Sequence, residues 1–131
     1  MVLLDTDILI KFLRNDPSAV KKLSKLIEHH LIISTTSINI AELYFGAYLS
    51  EKKEENLNAV KELILKLEII SFNQNHSEIY GEIRANLQKK GELINELDIF
   101  IASIAIEREI KLITRNIKHY EKIDKLQIES W

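Results

Sequence analysis

Four oxygen-bearing side chains, at positions 5, 42, 98 and 116, have the types and spacing to do chemistry. Asp5 closes the run Val2-Leu3-Leu4 and leads into Thr6-Asp7-Ile8-Leu9-Ile10. A run that short and apolar reads as a strand buried on both faces. Such a strand delivers a carboxylate to the carboxyl edge of a sheet, where ligands bind in open α/β folds. Glu42 is the only charge from Ser37 to Leu49, and its helical neighbours are Ile38, Asn39, Phe45, Gly46 and Leu49. A carboxylate in that company faces solvent, takes up a proton or meets a cation. Asp98 is the only charge from Leu97 to Ile106. With Asn95 as N-cap it would fall at N3, where a capping box or the helix dipole offers a purely structural role. Asn116 follows the run Leu112-Ile113-Thr114-Arg115 and could equally cap a helix beginning at Ile117.

Taken together, these groups have a chemical reading. Each falls just after a strand or on the first turns of a helix, positions that share one edge of a right-handed parallel sheet. Three converging carboxylates repel one another and lose hydration, and a divalent cation relieves both penalties. Oxygen donors without Cys or His suit a hard ion, Mg²⁺ with Mn²⁺ as the alternative. The expected ligands are Asp5, Glu42 and Asp98, with Asn116 in support, for cutting a phosphodiester. Arg115 is a candidate phosphate contact or else a solvated turn residue. The histidines at 29, 30, 76 and 119 lie in charged, amphipathic or loop contexts and read as surface residues.

The elements that must hold these groups alternate. Strands are expected at 2–5, 31–33, 68–72 and 111–114, with a last edge strand near 126–128. Helices are expected at 8–14 with Asp7 as N-cap, then from Ser18 to about Glu28, 38–50, 51–67, 73–90, 95–109 and 117–123. Ile79, Tyr80, Ile83 and Leu87 recur at helical spacing, and Lys89-Lys90-Gly91 is a helix stop. Alternating strands and helices specify an α/β fold, with a short central parallel sheet flanked by helices on both faces.

The 131 residues suit a single domain, 1–131, with 46% hydrophobic and 29% charged residues. The net charge of −2 excludes nucleic-acid binding by bulk electrostatics, so any such contact must be local. No cysteine is present, which rules out disulfides, zinc ribbons and thiol nucleophiles and fits a cytoplasmic protein. Neither a spanning apolar segment nor a signal peptide is expected.

Four blocks carry a resemblance. VLLDTDILI, TTSINIAELYFG, ELDIFIASIAI and KLITRNIKHYEKI resemble, in order and spacing, the blocks of PIN-domain ribonucleases of the VapC toxin type. The resemblance runs the length of the chain and places the acidic ligands at Asp5, Glu42 and Asp98. It implies a metal-dependent endoribonuclease, the toxin of a toxin–antitoxin pair. It also implies an RNA substrate such as tRNA or ribosomal RNA, a cognate antitoxin and a homodimer built through helices. The chain departs from the pattern twice. Asp7 stands where Asn or Ser is usual, so it either adds a negative charge to the pocket or only caps. Asn116 stands where some members have a fourth Asp, which weakens the case for a firmly held second metal. A dehalogenase-type phosphatase would share the Asp5-Thr6-Asp7 pattern but needs a Gly-Thr continuation, and Ile8-Leu9 stands there instead. A non-catalytic RNA- or protein-binding module of the same fold is the alternative from another class.

Overall fold

The computed structural model describes all 131 residues. Five parallel strands form one sheet: β1 (Val2–Leu4), β2 (Ile33–Thr36), β3 (Glu68–Ile70), β4 (Lys111–Ile113) and β5 (Ile128–Glu129). Their spatial order is β3-β2-β1-β4-β5. The helices are α1 (Thr6–Leu13), α2 (Pro17–Glu28), α3 (Ser37–Leu49), α4 (Lys53–Ile64), α5 (Gln74–Lys89), α6 (Glu96–Glu107) and α7 (Ile117–Tyr120). None is long and apolar enough to cross a membrane.

The pleat of β1 sorts the core. Val2 and Leu4 join Ile8, Leu9, Leu23, Leu43, Val60 and Leu63 beneath α1–α4. Leu3 points the other way, to Ile83, Leu87, Ile99, Ile101, Ile104 and Leu112 beneath α5 and α6. The sheet is therefore covered on both faces, which is why the central strand β1 is apolar throughout. Helix α6 lies deepest: Ile99 and Ile101 through Ala105 are all buried. A helix apolar on nearly every side belongs in the middle of a core. Gly91, at φ +68°, ends α5 as the sequence indicates.

Several expected boundaries move, with identifiable causes. Strand β2 begins at Ile33 rather than Leu31, because the Leu31 amide closes the end of α2 on the Leu26 carbonyl and His30 turns at φ 57°. The polar run Ser34-Thr35-Thr36, which falls between the expected strand 31–33 and helix 38–50, lies in the sheet. The Ser34 and Thr35 hydroxyls donate to the Val2 and Leu4 carbonyls at 2.7 and 2.8 Å, so their burial leaves nothing unpaired. Asp16, not Ser18, caps α2 by accepting from the Ala19 amide. Asp5, not Asp7, is the N-cap of α1.

The order β3-β2-β1-β4-β5 reverses direction between β1 and β4. That switch point opens a crevice at the carboxyl ends of the strands. Asp5 leaves β1 there, and its amide donates to the Ile113 carbonyl at 2.9 Å. Thr114 leaves β4 beside it. Helix α3 starts directly from β2 at the same edge, and α6 starts there too as it leads the chain back to β4.

Candidate metal centre and active site

One open cleft at this edge is lined by Asp5, Thr6, Asp7, Ile10, Glu42, Asp98, Arg115 and Asn116. All four residues expected as ligands, and Arg115, are thus brought together from four separate segments. A second pocket, between α5 and the 122–125 turn, shares none of them.

Asp5 is buried, at 5% exposure. Its Oδ1 accepts from the Thr6 amide at 2.9 Å and from Asn39 Nδ2 at 3.1 Å, and its Oδ2 from the Thr114 hydroxyl at 2.7 Å. Burial raises its pKa to about 6, the Thr114 bond pulls it back, and the negative charge of Asp7 pushes it up again. Glu42 is half-buried, and its Oε1 accepts from the Thr6 hydroxyl at 2.8 Å. Its pKa is raised by desolvation, opposed by the Thr6 bond, with Asp98 and Asp7 adding to the rise.

Asp98 does not cap α6. Its carboxylate turns away from the helix to accept from Tyr120 Oη at 3.2 Å and Asn116 Nδ2 at 3.3 Å, with His119 Nδ1 3.1 Å away. The capping alternative is therefore not the role it plays. Asn116 makes no side-chain cap bond either, since its amide group is committed to Asp98 and His119. The buried Tyr120 hydroxyl has its pKa pushed up by desolvation and then by the charges of Asp5 and Asp98. It remains a proton-bearing donor to the acids.

The supporting residues are the ones that sequence reasoning missed. Thr6, Asn39 and Thr114 hydrogen-bond the acids directly, and Asn39 also bonds the Thr6 hydroxyl at 2.9 Å. Short polar residues at strand ends look like ordinary caps, and Asn39 does complete the capping box of α3 with Thr36. One histidine corrects the surface assignment. His76 is buried at 1% exposure, accepts from the Asn73 amide at Nδ1 and faces Glu107 through Nε2. His119 keeps its surface position but lies against Asp98.

The donor set fits a hard divalent cation. Asp5, Asp7 and Glu42 form no ion pair with any Lys, Arg or His of the chain. Asp7 keeps one buried oxygen, Oδ1, without any donor. No three acidic or histidine groups close into a finished coordination shell. Each acid is held instead by neutral donors, Asp5 by Thr6, Asn39 and Thr114, Glu42 by Thr6, and Asp98 by Tyr120 and Asn116, while the negative charges repel one another. A cation would trade that repulsion for attraction.

Residues 2–126 match the family model of the PIN domain. The chain belongs to the PIN-domain family, among the VapC ribonucleases. It is 36% identical over 129 residues to "Ribonuclease VapC2" of Rickettsia felis, spanning 98% of this chain and 96% of that protein. It is 33% identical, with the same coverage, to the "tRNA(fMet)-specific endonuclease VapC" of Salmonella typhimurium. Among solved structures it superposes on VapBC2 of Rickettsia felis, bound to a fragment of promoter DNA, with TM-score 0.93 and 35% identity. That match covers 100% of this chain and 99% of that one. DNA-bound VapBC of Salmonella typhimurium gives 0.89 at 31% identity, covering 100% and 99%. The PIN fold thus accounts for the strand order.

Proposed function

We propose that this chain is the toxin of a toxin–antitoxin pair, an endoribonuclease that hydrolyses RNA phosphodiester bonds with Mg²⁺, or Mn²⁺ in its place. The observation that carries the reading is the convergence of Asp5, Glu42, Asp98 and Asn116 on one open cleft of a VapC PIN domain. The RNA substrate is proposed to be a tRNA, as in the names of the Salmonella and Shigella relatives. The partner is a cognate antitoxin, the counterpart of the second component in the VapBC complexes that this fold matches. A homodimer is proposed as the resting assembly.

Asp5, Glu42 and Asp98 would hold the cation, with Asn116 steadying Asp98. When bound, Mg²⁺ supplies Lewis acidity, acidifying a water and offsetting charge that builds on the phosphate. The chain's own groups prepare for this. Thr6, Asn39 and Thr114 hold the carboxylates of Asp5 and Glu42 at the cleft by hydrogen bonds that orient them. Tyr120 and Asn116 aim Asp98 into the cleft. Arg115, exposed at the rim, offers the planar fork that matches phosphate oxygens.

The deciding experiment is cleavage of a tRNA and ribosomal RNA pool by wild type and Asp98→Asn, with Mg²⁺, with Mn²⁺ and with EDTA. Discrete cuts that need metal are expected from the wild type, reduced about 100-fold or more in the variant. Equal cutting by both proteins, or cutting that survives EDTA, would refute the site. Arg115→Ala in the same assay should raise KM while leaving kcat nearly unchanged.

A further inference from the structure

The turn from β4 into α7 is tied down one residue at a time, and each tie runs to a different acid. The Thr114 hydroxyl donates to Asp5 Oδ2 at 2.7 Å. The Arg115 backbone amide donates to Asp7 Oδ2 at 2.9 Å. Asn116 Nδ2 donates to Asp98 Oδ2 at 3.3 Å. Thr114 and Asn116 commit their side chains to these bonds. Arg115 commits only its main chain, so its side chain stays exposed and forms no ion pair with any acid of the chain.

Asp7 lies in the first turn of α1, yet Asp5 is the cap of that helix. The bond from Arg115 to Asp7 spans 108 residues of sequence and joins α1 to the turn. It also acts on the one cation among the residues that line the cleft, where every other charged group is an acid. A long side chain loses rotamer freedom when it takes hold of a phosphate, so a fixed main chain beneath it lowers the cost of capture. Because the amide occupies Asp7 Oδ2, the guanidinium is left to bind something else.

We propose that Asp7 is a positioning residue for the substrate: by holding the Arg115 main chain it presents the free guanidinium to an RNA phosphate entering the cleft. The role requires an oxygen acceptor at position 7 and not its negative charge. The inference rests on the ribonuclease reading above and deepens it.

Two variants separate acceptor from charge. Asp7→Asn keeps an acceptor oxygen and removes the charge, Asp7→Ala removes both, and circular dichroism establishes that each is folded. The tie itself is read by hydrogen exchange of the Arg115 amide in EDTA, without RNA. Exchange is expected to stay slow in wild type and Asp7→Asn and to speed up about tenfold in Asp7→Ala. With Mg²⁺ and a tRNA that the wild type cuts, Asp7→Ala should raise KM about tenfold with kcat nearly unchanged, and Asp7→Asn should stay near wild type. Asp7→Ala combined with Arg115→Ala should have no higher a KM than Arg115→Ala alone, because the effect runs through that side chain. Asp7→Asn as impaired as Asp7→Ala, a loss in kcat rather than KM, or additive effects in the double variant would overturn the positioning role and leave the ribonuclease reading standing. So would an Arg115 amide that exchanges equally fast in all three proteins. A wild type that cuts no RNA with metal would overturn the ribonuclease reading itself, and this inference with it.

Discussion

Asp5 is the one carboxylate in the fully buried set, and nothing in the chain neutralises it. Its charge is therefore a liability until a cation arrives, and the liability has a measurable sign. The folded-state pKa of about 6 lies above the ordinary 3.8, so between those values the folded protein holds a proton that the unfolded chain has released. In EDTA the stability contributed by this group is full below about pH 4 and is lost as pH rises to 6, on the order of 3 kcal/mol in all. Asp5→Asn should consequently be more stable than wild type at pH 7.5 in EDTA, with the gap closing near pH 4. Urea denaturation at both pH values checks this, and a wild type that stays the more stable at pH 7.5 would sink it. Saturating Mg²⁺ should reverse the order, because the ionised carboxylate then gains a partner that Asn cannot replace. Asp5, Glu42 and Asp98 were legible in the sequence as charges inside otherwise apolar stretches. Thr6, Asn39 and Thr114 were not, because a hydroxyl or amide after a strand has an adequate local explanation as a cap. Tyr120 was hidden for a different reason: an aromatic at helical spacing looks like core, which it also is.

Helix α3 shows how one element serves fold and site together. Asn39 Oδ1 accepts from the Thr36 amide and hydroxyl at the helix start, while its Nδ2 reaches across to Asp5 and Thr6. Asn39→Ala removes the cap and the tie between α3 and the end of β1 at once. It should cost roughly 2–3 kcal/mol in urea denaturation and lower cleavage through misplacement of Asp5. A loss below about 0.5 kcal/mol, the size of an ordinary surface change, would refute that double role. The order and type of the helices and strands were legible because each apolar run has a clear period and a clear stop. The start of β2 was not. A strand in which Ser34, Thr35 and Thr36 are buried is affordable only because the neighbouring carbonyls of Val2 and Leu4 accept from two of the hydroxyls. Those partners lie more than 30 residues away in sequence, beyond any local pattern. His76 misled in the same way, its amphipathic setting concealing a capping box with Asn73 and a buried contact to Glu107.

At the scale of the molecule, helices α4 and α5 turn their apolar faces inward. Leu57, Val60 and Leu63 of α4, and Ile83 and Leu87 of α5, are spent on the two cores. Among the large apolar residues that stay exposed, three share helix α3: Phe45, Tyr48 and Leu49 are 67%, 63% and 72% exposed. Their spacing of three and four puts them on one face, and large aromatic groups on one face are what protein interfaces bury at their centres. A second copy of the chain, meeting the first about a two-fold axis, would match this patch with itself and cover both. Phe45→Glu combined with Leu49→Glu should then convert a dimer to a monomer in sedimentation velocity, with the circular dichroism spectrum unchanged. An unaltered mass would reject self-association through α3 and leave the face to the antitoxin. Glu42 precedes Phe45 by three residues on the same helix, so the patch begins one turn from the acidic cleft. Pairing through it would set two cleavage sites in fixed relation, and the double variant should therefore change how the enzyme engages a folded RNA more than how it cuts a short single strand.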